Sequence, residues 1–437
     1  MRQAFTTVAR ETFQSLNGGE EYMLSFRGEK SDFVRFNGNR VRQAGNVQQS
    51  RITLTLIRKD RQVSADFDLS ATAAPNRQRL GSIITQSRDL LDRVPTDPYL
   101  NYAMEPVDSE RVEAANLPDV RDAVACIHDA FNGADLTGVW SAGETCSGFA
   151  NSRGQRNWHS TSSFNFDWSV HQGEASVKRR VAGHAFDTAE LTARAEEARS
   201  DLNLLARPAR ALTPGRYRAY LAPEAVAEIL SLVSWGGFSI QNHRTKSTPL
   251  ARMITEGKRL DPRISLAEDH ASGFTPRFTH EGFLTPAQVD LIDKGAYAAC
   301  LAGARSAREF NVPVNAGSES PQSLRMAPGG LPVNDVLEAL GSGLYISNLW
   351  YCNFSDRNDC RITGMTRFAC CWVENGQLVA PIEPMRFDDS LYRLLGDQLV
   401  DLTDETTLLM DAGTYGERST SSMRVPGILV SAMTLAL

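Results

Sequence analysis

The sequence predicts a multi-domain α+β protein, with antiparallel sheets and covering helices in the N-terminal part and a mostly β C-terminal domain. Three observations lead there. Strand-length segments rich in β-branched residues are twice followed by a long helical stretch, at residues 75–93 and 188–205. Proline-containing breaks fall at residues 94–110 and 207–217. The 437 residues, at roughly 150 per domain, allow about three units.

The first unit, residues 1–95, opens with an amphipathic helix. Strand candidates follow at 21–27, 32–36, 40–47, 51–58 and 62–69, with Gly38-Asn39 and Lys59-Asp60 as tight-turn pairs, so the segment reads as an antiparallel meander. From Pro75 to Arg93 the period becomes helical, and Leu80, Ile83, Ile84, Leu90 and Leu91 form one stripe able to cover a sheet face. Residues 94–110 are a linker or an ordered surface loop. The second unit, 105–210, is expected to hold a helix at 117–131, strands at 138–141, 148–151, 158–168 and 176–181, and an Ala-, Glu- and Arg-rich helix at 188–205. It is short enough to pack with the first as one unit. The third, 212–437, starts with a strand and a helix, Pro223–Ser234, whose proline suits the first turn and whose Glu224 favours the helix dipole. A long helix at 286–310 and many short strands are expected after it. The final segment, 425–437, is too short to cross a bilayer and reads as a buried strand.

Composition narrows the function. With 42% hydrophobic and 22% charged residues the chain can bury sizeable cores. Its 46 basic and 52 acidic residues give a net charge of −6, and the basic ones are scattered, which argues against nucleic acid or an anionic membrane surface as partner. The N-terminus lacks the apolar core of a secretory signal, and seven cysteines without a C-x-x-C spacing suit a reducing compartment, so a cytoplasmic protein is expected.

Local motifs are sparse. His280-Glu281 lacks the second histidine that a zinc-binding H-E-x-x-H helix requires. Cys352, Cys360, Cys370 and Cys371 cluster in sequence but not at knuckle spacing, and read as small buried hydrophobes. Cys146 in GETCSG, with His159 downstream, is the candidate for a cysteine nucleophile, since a base can come from anywhere in the chain. The glycine pairs GGF and GSG lack a P-loop lysine and a dinucleotide-site context.

Three longer segments resemble the TldD/PmbA family: SDFVRFNGNRVRQAGNVQQ (31–49), PGRYRAYLAPEAVAEIL (214–230) and, most specifically, RITGMTRFACCWVENGQLVAPIEPMRF (361–387). The family pairs a zinc-bearing, TldD-like protease subunit with a PmbA/TldE-like partner lacking the zinc site. Where zinc-bearing members resemble H-E-A-V-G-H, this chain reads Pro223-Glu224-Ala225-Val226-Ala227-Glu228, and where they carry a cysteine in a G-x-C-G context it reads Gly413-Thr414-Tyr415-Gly416. Pro223, Glu228 and Tyr415 thus stand where zinc ligands would be, and Glu224 stands at the place of the general base, without metal-activated water to polarise.

The resemblance implies no metal and no catalysis in this chain, zinc in a TldD-like partner subunit, and a shared role in degrading or maturing unfolded or leader peptides. The aromatic segment Leu344–Phe354 is read as a core strand, or else as a lining of a peptide channel or subunit interface. Tyr351, Arg361 and Arg367 are the candidates for substrate or partner contacts. Two alternatives stay open: a stand-alone homodimer that binds peptides without cutting them, and a cysteine-dependent hydrolase.

Overall fold

The computed structural model describes residues 1–70 and 72–436. Its N-terminal half is built on one seven-stranded sheet. Three long strands, β1 (Glu21–Asn37), β2 (Arg40–Arg58) and β3 (Arg61–Asp68), form the expected meander, and β4 (Ser109–Glu113), β5 (Asp135–Asn151), β6 (Arg156–Gln172) and β7 (Ala175–Gly183) complete the sheet. The order is β3-β2-β1-β5-β6, with β4 and β7 both along the far side of β6. Strands of residues 21–68 and 109–183 therefore share one ladder, joined where β1 pairs with β5 from Met23–Asn151 to Asn37–Thr137.

The turns at Gly38-Asn39 and Lys59-Asp60 have all four residues at positive φ, as two-residue hairpins between right-twisted strands require. The expected breaks at residues 28–31 and 48–50 are not turns. Both polar runs continue as strand, so five strand candidates become three strands, and 138–141 and 148–151 likewise merge into β5.

Side chains alternate across the sheet. On β1, β5 and β6 the even-numbered residues, among them Tyr22, Leu24, Phe26, Trp140, Trp158, Phe164, Phe166 and Trp168, form two apolar clusters. These are covered by α1 (Arg2–Gln14), α2 (Ala73–Leu91), α3 (Val120–Ala130) and α4 (Thr188–Leu205). The starts of α3 and α4 are fixed locally: Asp119 and Asp187 accept from the main-chain N–H of Arg121 and Ala189. The odd-numbered face is mostly polar, apart from Met23 and Phe149, which pack on Phe278, and turns toward the C-terminal half.

That half contains a nine-stranded and a six-stranded sheet around the largest apolar cluster. β8 (Gly215–Leu221) runs inside the larger sheet between Gly343–Ile346 and the C-terminal strand Ile428–Ala436. α5 (Pro223–Ser234) buries Ala225, Val226, Ile229, Leu230 and Val233 in the cluster. The helix expected at 286–310 is replaced by a hairpin, Val289–Asp293 with Ala296–Tyr297, and a helix at Ala304–Phe310 only. Lys294 and Gly295, both at positive φ, make its turn, and Gly303 starts the short helix. Among the described residues pairing is mostly antiparallel, with three parallel ladders: β4 with β6, β8 with Gly343–Ile346, and Ser323–Met326 with Ser422–Val425. No helix among the described residues is long and apolar enough to cross a membrane.

Candidate functional site

The polar face of the large sheet is the feature from which a site is built. Arg27, Glu29 and Ser31 of β1 lie beside Ser147, Thr145 and Gly143 of β5, which in turn face His159, Thr161 and Ser163 of β6. Loops 269–285, 315–322 and 411–421 of the C-terminal half close over this face and leave a cavity of about 260 Å³. A wider cleft of about 740 Å³ continues across β1–β3 and shares Arg27, His280 and Glu417 with the cavity.

Loop 411–421 is fastened to the sheet by charged bonds. Arg418, only 4% exposed, donates to the carbonyl and hydroxyl of Ser163 (3.1 and 2.9 Å) and to the carbonyl of Gly143 (2.7 Å). Its main-chain N–H donates to Glu29 Oε2 (3.2 Å), which also accepts from Gln49 Nε2 (2.9 Å). Burial lowers the Arg418 pKa to about 10, against the opposing pull of Glu29. Next to it Arg27 donates to Glu417 Oε1 (2.7 Å) and to His280 Nε2 (2.8 Å), so it divides cavity from cleft. The residue 94–110 segment crosses the far side as an ordered strap, with Asp97 paired to Arg305 (2.7 Å) and the Ala103 N–H donating to the Glu281 carbonyl (2.9 Å).

The histidines of the cavity are neutral. His280 is held near 4, first by desolvation and then by Arg27, and its Nε2 lone pair is taken by that guanidinium. His270 is held near 4, chiefly by burial, and donates from Nε2 to the Asn315 carbonyl (3.2 Å). Its Nδ1 lies 3.7 Å from Glu268 Oε1. Burial raises the Glu268 carboxyl to about 7, although the N–H groups of Gln322 and Ser323 both donate to it. His159, lowered by burial, donates from Nε2 to the Phe274 carbonyl (3.1 Å), which leaves Nδ1 as a bare acceptor.

Of the residues singled out in the sequence, Cys146, His159 and His280 line the cavity and Glu281 and Tyr415 the wider cleft; the others fall elsewhere. Pro223 opens α5, Glu224 sits half-buried in its first turn near Arg179, Tyr220 and Tyr345, and Glu228 is exposed near Lys178 and Arg180 of β7. Tyr415 stands fully exposed on loop 411–421, at the rim of the wider cleft with Arg51 and Arg305. Proline offers zinc no donor atom, and among the described residues no three His, Cys, Asp or Glu side chains are placed to hold a metal ion. The donor set at this position does not fit zinc.

Tyr351, Arg361 and Arg367 share the outermost hairpin of the nine-stranded sheet, Asn348–Asp356 with Arg361–Arg367, and none of them lines the cavity. Tyr351, 78% exposed, lies against Trp350, 51% exposed, with ring centroids 5.5 Å apart. The Arg367 guanidinium covers the Trp350 ring at 4.1 Å, and Arg361 is tied to Asp388 (2.5 Å). The core-strand reading of Leu344–Phe354 holds for Leu344, Ile346 and Leu349, and fails for Trp350 and Tyr351.

The cysteine nucleophile is overturned. Cys146 pairs with Ser160, and His159 with Ser147, so thiol and imidazole project from opposite faces of the sheet. Burial among apolar side chains also raises the Cys146 thiol to about 12. The thiol that does meet a histidine is Cys300, 3.3 Å from His243 Nδ1 and 3.3 Å from the Tyr297 hydroxyl, and burial raises it too. Cys360, Cys370 and Cys371 are buried as expected, and Cys352 is half-buried.

The site is thus a polar sheet face closed by loops from a β-rich C-terminal half that opens with β8 and α5. The sequence profile of the PmbA/TldA metallopeptidase C-terminal domain matches residues 214–437, and the chain belongs to the PmbA/TldD family. Among solved structures it is similar to TldE from Thermococcus kodakarensis (TM-score 0.78, 14% identity, 99% of this chain and 100% of that one). It is also similar to a proposed modulator of a DNA gyrase from Thermotoga maritima (0.78, 13%, 100% of both). A third likeness is to a proposed modulator of DNA gyrase from Bacteroides thetaiotaomicron (0.74, 16%, 100% and 98%). At these identities the likeness is one of fold. No curated protein matches the sequence.

Proposed function

We propose that this chain is the zinc-free, TldE/PmbA-like subunit of a metallopeptidase complex that degrades or matures unfolded or leader peptides. The observation that carries the reading is the sequence at the start of α5, Pro223 to Glu228, which on the family resemblance has proline and glutamate in place of the two histidines of zinc-bearing members. On this reading zinc and the hydrolytic step belong to a TldD-like partner, and this chain presents peptide to it in the cytoplasm.

Two features support the reading. The polar cleft beside Arg27 offers hydroxyls, amides and carboxylates to a chain with free main-chain groups, a property of unfolded rather than folded peptides. The exposed Trp350 and Tyr351 on the edge strand are the kind of aromatic anchor that subunit interfaces use. The test is to co-express the chain with a zinc-bearing family member and to assay cleavage of an unfolded peptide. Cleavage by a mixed assembly, at a rate neither chain reaches alone, supports the proposal. A zinc-free homodimer that ignores the neighbour and still binds peptide would favour the stand-alone binding protein.

A further inference from the structure

The outer edge of the large sheet carries main-chain groups that the fold does not use. β3 is the last strand on that side and pairs with β2. The Leu69 N–H donates to the Ser50 carbonyl (2.8 Å), which sets the parity of the ladder: odd-numbered residues of β3 exchange their bonds with β2. The N–H and C=O groups of Gln62, Ser64, Asp66 and Asp68 therefore point outward. Of these, among the described residues, the Asp68 carbonyl alone has a partner, Arg79 (2.8 Å). From Gln62 to Asp66 the free edge runs about 14 Å, at ~3.4 Å per residue.

Edge strands are ordinarily blunted by proline, lysine, a bulge or a covering segment. β3 has no proline or lysine and no register shift, and Ser64, Asp66 and Asp68 are exposed. The strap of residues 94–110 is tied to the turn end, where the Asp97 N–H donates to the Asp60 carbonyl (2.7 Å), and among the described residues it makes no hydrogen bond to Ser64 or Asp66. The same even-numbered residues line the wider cleft, so a strand laid on this edge places alternate side chains over it.

Charge decides the occupant. Five carboxyl groups and three guanidiniums line the cleft, and the guanidiniums are already paired: Arg27 with Glu417, Arg51 with Asp68 and Arg305 with Asp97. Asp66 accepts from the Thr53 hydroxyl (2.7 Å) and has no cation among the described residues. A second copy of β3 cannot supply one, because its residues on that face are Gln62, Ser64, Asp66 and Asp68. We propose that the free edge of β3 takes up an extended basic peptide as an antiparallel eighth strand of the sheet, with a lysine or arginine opposite Asp66 on the cleft side. Main-chain bonds supply the affinity and the cross-strand charge pair the preference.

This inference rests on the reading of the chain as a binder of unfolded peptides, and its test separates the two. The probe is a short fluorescent peptide of alternating lysine and threonine, capped at both ends and titrated against the full chain by fluorescence anisotropy at low ionic strength. A residue directly opposite Asp66 in an antiparallel pair exchanges both bonds with it, so the lysine N–H groups point at β3 and the threonine N–H groups point away. N-methylation of the lysines is expected to weaken binding about tenfold or more, and N-methylation of the threonines to leave it within about twofold. A glutamate–threonine peptide is expected to bind about fivefold more weakly than the lysine peptide.

Ser64→Pro removes an outward donor and no ladder bond, and is expected to weaken binding about threefold or more with melting little changed. Asp66→Asn, which keeps an acceptor for Thr53, is expected to remove most of the preference for lysine over glutamate. Binding that ignores both methylations overturns strand addition, and loss on threonine methylation alone overturns the antiparallel sense; peptide binding itself stands in either case. A lysine peptide that does not bind overturns the inference, and the proposed function falls with it only if a mixed assembly also fails to cleave an unfolded peptide.

Discussion

Replacing Arg418 by methionine tests whether loop 411–421 is the fastening between the two halves. Methionine keeps an apolar stem of similar length and removes the guanidinium fork. Three bonds disappear, to the Ser163 carbonyl and hydroxyl and the Gly143 carbonyl, and each bond to a charged group is worth ~1.5–3 kcal/mol. Against this, Arg418 is held charged in a desolvated place. Its fall from the ordinary arginine value to about 10 corresponds to a cost of about 3 kcal/mol. The net expectation is a loss of ~2–4 kcal/mol, the range for breaking a buried charged network from one side. Urea unfolding followed by tryptophan fluorescence reads both halves, since Trp140, Trp158 and Trp168 lie in the sheet of the first half and Trp235, Trp350 and Trp372 in the second. Arg51→Met, which breaks the exposed pair with Asp68, is the control and should change stability by less than ~0.5 kcal/mol. An Arg418→Met protein as stable as the control would refute the fastening.

Three further outcomes follow from the same structure. Glu20, buried and held below its ordinary 4.5 by Arg88, contributes stability that is present above that value and is lost as the pH falls through its folded pKa. Glu20→Gln should therefore cost about 2 kcal/mol at neutral pH, with the gap to wild type closing in acid titration; a gap independent of pH contradicts the assignment. Cys146→Ser should leave peptide cleavage by a mixed assembly unchanged, because the thiol faces the helices and is raised to about 12. A cleavage loss on that substitution, with folding intact, would restore the cysteine mechanism. The double substitution of Trp350 and Tyr351 by serine should weaken subunit association by about 2 kcal/mol or more in sedimentation analysis and leave melting of the isolated chain unchanged, both rings being exposed; unaltered association would remove this edge from the interface.

Elements defined by neighbours in sequence were legible. Asp187 caps α4 and Pro223 opens α5, so both helices begin and end where their local signals place them. The hairpin turns at Gly38-Asn39 and Lys59-Asp60 were readable for the same reason. Residues 28–31 were misread because an alternating strand with a polar buried face looks like a loop unless one knows what covers it. In 286–310 the apolar spacing of Val289, Leu291 and Ile292 fits either period, and only the Lys294-Gly295 pair argued for a hairpin.

The candidate site was largely illegible. Arg27 and Glu29 share β1, but His159, Glu268 and Arg418 come from three other distant places, and no spacing rule joins the four. A signal did exist in the strands. Apolar residues at 158, 164, 166 and 168 alternate with His159, Thr161, Ser163, Asn165 and Asp167, so the second face of a central strand is polar and must be buried against something.

The central claim, that this chain belongs to the metallopeptidase family without carrying the metal chemistry, is tested most directly by metal analysis of the chain alone. The purified protein is dialysed against zinc and then against metal-free buffer. Bound zinc is measured and cleavage of an unfolded peptide assayed on the same sample. The account predicts zinc far below one per chain and no cleavage. One zinc per chain together with cleavage of the peptide would contradict it.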